Sequence, residues 1–341
     1  MLQLHILATA ANAVLPIVLL IGLGYLLRRF GFLSESFVKQ GNKLVFHVLL
    51  PCMLFMNVYA IESFSSIQWD IALYACAAVG LIFLLGLIST GMVTKKAERR
   101  GVLLQCTFRS NLAIIGLPLA ASLGGADAEA VAAVISAFTI PVFNILAVIA
   151  LTVFTGEGER KTPQAGSMLK RIVKNPLIIG VATGLVFLGL RAAQNAAFGE
   201  VRICLERDLP FLYKALSDLK KIASPLALLV LGGQFRFSAV KGMGREIVVG
   251  TLWRLVLAPV IGIGAAILLT HVGILHCGAE AYPALIALFG SPVAVSSAIM
   301  AGQMGGDEQL ATQLVVWTSL CSVFTVFILV CLMMSWGMLA I

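Results

Sequence analysis

Charge is what this sequence has little of. Asp, Glu, Lys and Arg make up 12% of its 341 residues, about half the share of a soluble domain. Acids are the scarcer sign, 16 against 24 Lys and Arg. Each Asp and Glu falls in a connecting segment or near the end of an apolar run, with Asp218, beside Lys220 and Lys221, the nearest to an exception. A membrane cation or proton exchanger of inverted-repeat type needs a carboxylate near mid-membrane, so the lack disfavours one. The same lack excludes an intramembrane aspartyl protease, which needs two acids deep in adjacent spans. Asp127 in GGAD and Asp307 in GGD lie in connecting segments. The seven cysteines show no CxxC or other metal-ligand spacing, so neither a metal site nor a cofactor is expected. Most fall within apolar runs and suit packing as small hydrophobes. A cleavable signal peptide is not expected either, because residues 6–27 lack a basic n-region and a small-residue cleavage site.

What is abundant is apolar length. Hydrophobic residues are 60% of the chain, and residues 71–93 carry no charge at all. Runs of about 20 such residues cross the hydrocarbon core, so the chain is an all-α polytopic membrane protein with the lipid bilayer as its solvent. Apolar periodicity gives ten spans, near 6–27, 43–61, 71–94, 101–122, 128–154, 173–190, 211–233, 247–270, 281–302 and 309–335. The short connections leave no room for a soluble domain. The net charge of +8 would raise nucleic-acid binding in a soluble protein. Here the basic residues flank spans and set topology, and no nucleic-acid partner is expected. Arg28, Arg29, Lys39 and Lys43, then Lys95, Lys96, Arg99 and Arg100, then Arg160, Lys161, Lys170, Arg171 and Lys174, then Arg236, Lys241 and Arg245 occupy alternate connections. Both termini are therefore expected outside and the linker 155–172 in the cytoplasm. Cys204 and Cys277 would both lie outside, where a disulfide between them is open.

The two halves match in short stretches. Laying SLGGADAEA (122–130) on QMGGDEQLA (303–311) puts Ser110-Asn111 opposite Ser291-Pro292, while Pro51 pairs with Pro225 and His47 with Lys221. With five spans per half, the second half enters from the opposite side. That predicts a 5+5 inverted repeat: residues 1–154, the cytoplasmic linker 155–172, and residues 173–341.

Span four reads FRSNLAIIGLPLAASLGG from residue 108. Pro118 lacks the N–H that a helix needs and clashes with the preceding turn, and Asn111 and Gly116 lie within two turns of it. We expect two half-helices joined by an unwound stretch, facing protein or a cavity rather than lipid. Span nine repeats the device with Gly290, Ser291 and Pro292, then Ser296-Ser297. Interrupted segments at corresponding places in both halves point to a transporter's binding site, and Pro51 and Pro225 are read as further helix breaks. Half-helix N-termini suit an anion. Arg109 beside the first break is the leading side chain for one. Asn144 either faces the crossing or bonds a neighbouring helix. His47 is either a titrating coupling group or a hydrogen-bonded core residue, and Lys221 a gating residue or one at the outer interface. Arg254, about two turns from the cytoplasmic end, is expected to snorkel.

The stretches VLPIVLLIGLGYLLRRFGFLS, GNKLVFHVLLPCMLF, FRSNLAIIGLPL, NPLIIGVATGL, SPLALLVLGG, LWRLVLAPVIG and SPVAVSSAIMAGQMGGDEQLATQLVVWTSLCS give the chain a resemblance to the auxin efflux carrier family, over nearly its whole length. The resemblance implies a scaffold domain (spans one, two, six and seven) that often pairs into a homodimer. It also implies a transport domain in which spans four and nine cross. The implied site is Asn111, Pro118, Ser291 and Pro292, holding a small organic anion such as malonate or malate. Ser291 stands where plant members often have a second Asn before the proline, and the linker is short. The first counts against an auxin-like binding pattern, and the short linker favours a bacterial permease of the cytoplasmic (inner) membrane. The coupling ion, proton or sodium, is left open. So are export of a larger, auxin-like carboxylate, sodium-coupled symport, and a channel or sensor on the same scaffold.

Overall fold

The structure, a computed structural model, describes residues 2–60, 69–155, 174–278 and 280–339. Helix dominates, as it must where backbone groups have no water to bond. Among the described residues the one pairing of extended backbone is an isolated antiparallel bridge between Ser110 and Val293. In chain order the helices are α1 (Leu2–Arg29), α2 (Glu35–Tyr59), α3 (Trp69–Val93), α4 (Ala97–Phe108), α5 (Leu117–Thr155), α6 (Pro176–Phe198), α7 (Pro210–Gln234), α8 (Gly244–His271), α9 (Ala281–Gly290), α10 (Ser296–Gln303) and α11 (Glu308–Ser335). Six helical stretches among the described residues are long and apolar enough to cross a membrane: α2, α3, residues 112–154, α6, α8 and α11. Their outer faces carry bare apolar side chains such as Ile88, Ile179, Val260 and Phe324, which suits hydrocarbon. This is an integral membrane protein of all-α class. The linker 155–172 falls, but for Thr155, outside the described residues.

Local chemistry sets the helix ends. Ser34, Asn175 and Asp307 each accept a hydrogen bond from a backbone N–H of the turn they precede, the usual N-cap arrangement. In α5 the chain turns sharply at Gly124-Gly125, where Gly125 takes φ +68°, so residues 117–123 and 126–155 are separate arms. A side chain at Gly125 would be strained.

Two packing groups emerge. In one, α1 lies along α7 and α2 along α6 and α7, and α1 also lies along α11 of the other group. Small residues permit the close approach: Gly24 and Gly232 meet the backbone of the facing helix, and Gly180 meets Pro51. In the other group α3, α4, α5, α8, α9, α10 and α11 pack on each other. Connecting segments gather at two ends. At one, Arg99 pairs with Glu246 and Asp307, both at 2.9 Å, and Asn42 donates to Glu308 (2.8 Å). At the other, the Leu205 N–H donates to Tyr59 Oη (2.9 Å). Cys204 contacts the same hydroxyl at 3.3 Å, and it and Cys277 are free thiols, not a disulfide.

Prolines do not break the helices where the sequence suggests. Pro225 lies inside the continuous α7, and Pro51 inside the continuous α2. Three π-helical turns, Val45–Leu49, Leu112–Gly116 and Trp253–Leu257, each end two residues before a proline, namely Pro51, Pro118 and Pro259. In each the next N–H reaches back five residues, as from Leu117 to Leu112. A proline in an α-helix removes one bond and strikes the carbonyl four residues back. The wider turn takes up both defects without unwinding the chain.

Candidate functional site

The real interruption of the first segment lies upstream of Pro118. α4 ends at Phe108, residues 109–111 leave helical geometry, and the π turn starts at Leu112. The second segment is interrupted between Gly290, where α9 ends, and Ser296, where α10 begins. The two unwound stretches cross and bond each other. The Asn111 N–H donates to the Pro292 carbonyl (2.8 Å), and the Ala294 N–H to the Arg109 carbonyl (3.3 Å). The Val293 N–H, turned away from this pairing, donates to Thr318 Oγ1 on α11 (3.2 Å). Each backbone group freed at the crossing needs such a partner, because one left bare in a dry interior costs about 1–3 kcal/mol.

Arg109 is buried at the crossing. Its Nη2 donates to Asn144 Oδ1 (2.8 Å) and Ser296 Oγ (2.9 Å), while Nη1 points at the Met300 sulfur. Asn144 is held in turn by its own Nδ2, which donates to the Ile140 carbonyl (2.8 Å). The ion pairs among the described residues all involve other side chains. Arg109 is thus a buried cation held by neutral groups, one of them a weak sulfur acceptor. An unpaired buried charge is costly, and an anion arriving beside it would recover part of that cost.

A cavity of about 50 Å³ opens at this guanidinium, room for a few waters. Arg109, Ser110, Asn111, Asn144 and Ser296 line it from one packing group; Asn57 and Met53 of α2, Leu177 of α6 and Ser224 of α7 line it from the other. The lining contains no carboxylate. Ser110 Oγ and Asn111 Nδ2 are buried there without a protein partner. The helix that begins at Leu112 also has first N–H groups that lack intrahelical partners, and α10 begins beside the cavity at Ser296, its Ser297 and Ala298 N–H groups bonded to the Ala294 and Val295 carbonyls. Donors and positive charge therefore converge on one small space between the two packing groups.

The other residues singled out from the sequence are placed as follows. Ser291 is fully buried, and its Oγ donates to the Ala287 carbonyl (2.6 Å). Gly116 backs onto α9, where a Cβ would lie 2.9 Å from that same Ala287 oxygen. Ser297 is buried with an unpartnered Oγ, one residue beyond the lining. Pro118 is exposed and away from the cavity. His47 lies exposed in the π turn of α2, its Nδ1 3.0 Å from the Lys43 carbonyl. Lys221 is exposed and paired with Asp218 (3.4 Å). Neither reaches the crossing.

Arg254 departs furthest from expectation. It does not snorkel, for it is fully buried. Nε donates to the Ser291 carbonyl (2.9 Å), Nη2 to those of Phe289 (2.7 Å) and Leu288 (3.0 Å), and Nη1, at longer range, to Thr107 (3.4 Å). The Leu288, Phe289 and Thr107 carbonyls belong to the last turns of α9 and α4, and Ser291 directly follows α9. Asn57, Ser224 and Ser110 also escaped the sequence reading. Only Ser110, beside Asn111 in the aligned pair, had a signal that could have found it.

The family model for membrane transport proteins matches residues 9–330. The chain belongs to that family, the auxin efflux carrier family. This transporter is also similar to an uncharacterized transporter of Methanocaldococcus jannaschii, 24% identical over 73% of the chain and 76% of the relative. A second uncharacterized transporter, from Methanothermobacter thermautotrophicus, is 23% identical over 78% of the chain and 81% of the relative.

Proposed function

We propose that this transporter is a secondary carrier of small organic anions, with malonate and malate as the first candidates, working by alternating access. The observation that carries the reading is Arg109: a buried cation without a carboxylate partner among the described residues, lining the cavity at the crossing. Asn111 and Ser110 would donate to the anion, and helix N-termini at Leu112 and Ser296 add partial positive charge. A charge-assisted hydrogen bond contributes about 1.5–3 kcal/mol, so one such contact supports discrimination of roughly ten- to a hundredfold.

The same proposal orders the helices as ten crossings in two inverted halves. α4 with residues 112–123 makes one interrupted crossing, and α9 with α10 the other. α1, α2, α6 and α7 would form the scaffold, and the second packing group would move against it. A cavity lined from both groups fits that division, since relative motion would open it to either side in turn. Uptake of labelled malonate and malate into proteoliposomes, compared between wild type and Asn111→Ala, tests the reading. Saturable uptake is expected, with the variant at least tenfold lower in apparent affinity. Failure of folded wild-type protein to take up either acid would remove the dicarboxylate assignment.

A further inference from the structure

The second buried arginine has a different task from the first. A helix ends with carbonyls that lack intrahelical donors and carry partial negative charge. At the crossing two such ends meet in a dry interior. Side chains cover some of these groups: Ser291 Oγ donates to Ala287 O, and Thr107 Oγ1 to Leu104 O (2.8 Å). The carbonyls of Leu288, Phe289, Ser291 and Thr107 converge instead on Arg254. No carboxylate among the described residues pairs with it. A ring of carbonyl oxygens without a counter-charge is the chemistry of a cation site, and here a planar guanidinium fills it. The π turn that carries Arg254 delivers it from α8, a helix outside both interrupted segments.

We propose that Arg254 is a tethered counter-cation: its guanidinium occupies a carbonyl cage built from the ends of α4 and α9 and keeps the crossing assembled with no cation drawn from solution. The cage is separate from the anion cavity, whose lining does not include Arg254. The proposal therefore stands whatever the substrate is.

The test is the thermal stability of full-length protein in detergent. Arg254→Ala should lower Tm by roughly 10 °C. Added guanidinium should restore much of that loss saturably, at concentrations that leave wild type unchanged. Arg245→Ala, which removes an exposed guanidinium from the same helix (3.3 Å from the Met92 carbonyl), should not respond. A Tm for Arg254→Ala that guanidinium does not move would overturn the proposal. If Arg254→Ala does not fold, Arg254→Lys and Arg254→Met decide by folded yield, since both keep an unbranched stem and only Lys keeps the charge. A higher yield for Lys supports the tethered cation, and equal yields overturn it. Either result leaves the anion reading intact, because stability and not uptake is measured.

Discussion

The two interrupted segments cross symmetrically in backbone but not in chemistry. The first unwinds over Arg109, Ser110 and Asn111, three polar side chains that line the cavity. The second unwinds over Ser291, Pro292, Val293, Ala294 and Val295; its one polar side chain, Ser291, is turned to its own helix at Ala287. The second stretch works through its backbone, giving the Pro292 carbonyl to Asn111 and the Ala294 N–H to the Arg109 carbonyl. Assembly of the crossing is thus shared, while recognition is concentrated on one strand. Damage to the first stretch should appear in substrate affinity, and damage to the second in stability.

Arg109→Ala is the strongest way to break this asymmetry. It removes the cation and strands Asn144 Oδ1. Apparent affinity for the transported anion should fall by about a hundredfold or more, measured as the half-saturating concentration in proteoliposomes. Asn144→Asp sharpens the point without deleting anything. A carboxylate would then sit where Asn144 Oδ1 now lies, 2.8 Å from Arg109 Nη2, and would compete with any anion for the guanidinium. We expect a loss of affinity of at least tenfold with Tm unchanged or raised. An unchanged affinity would mean that Arg109 does not meet the substrate.

In the second stretch, Val293→Ala should do the reverse. Val293 is buried, so truncation costs about 1–2 kcal/mol of stability, read as a lower Tm, while affinity moves less than threefold. A large loss of affinity here would erase the division of labour.

Much of this arrangement was legible, for reasons that differ from residue to residue. Aligning the two glycine pairs set Ser110-Asn111 against Ser291-Pro292, and these stretches do bond each other. Arg109 and Asn144 stood out because polar groups in hydrocarbon need partners. The place of the first break does not follow from the sequence, because proline, the residue expected to cause it, does not. Pro118 follows a π turn that accommodates it, and the chain unwinds at Arg109 instead, where polar side chains find partners across the crossing. Arg254 is misplaced by its position about two turns from the cytoplasmic end of its span, which suggests snorkelling. Its acceptors are backbone carbonyls, which no residue type advertises.

His47 gives the smallest expected effect and the sharpest control. Of its two readings, titrating coupling group or hydrogen-bonded core residue, His47 is not the buried core one: it stands exposed on α2, bonded to its own helix at Lys43, and its repeat partner Lys221 is exposed and paired with Asp218. Neither belongs to the polar stretch or to the backbone crossing. Substitutions at such positions usually change stability by no more than about 0.5 kcal/mol. For His47→Ala we therefore expect affinity within about twofold of wild type and an uptake profile against pH with the same midpoint. A shifted midpoint would place a titrating group outside the crossing and extend the transport machinery along α2, beyond the two unwound stretches.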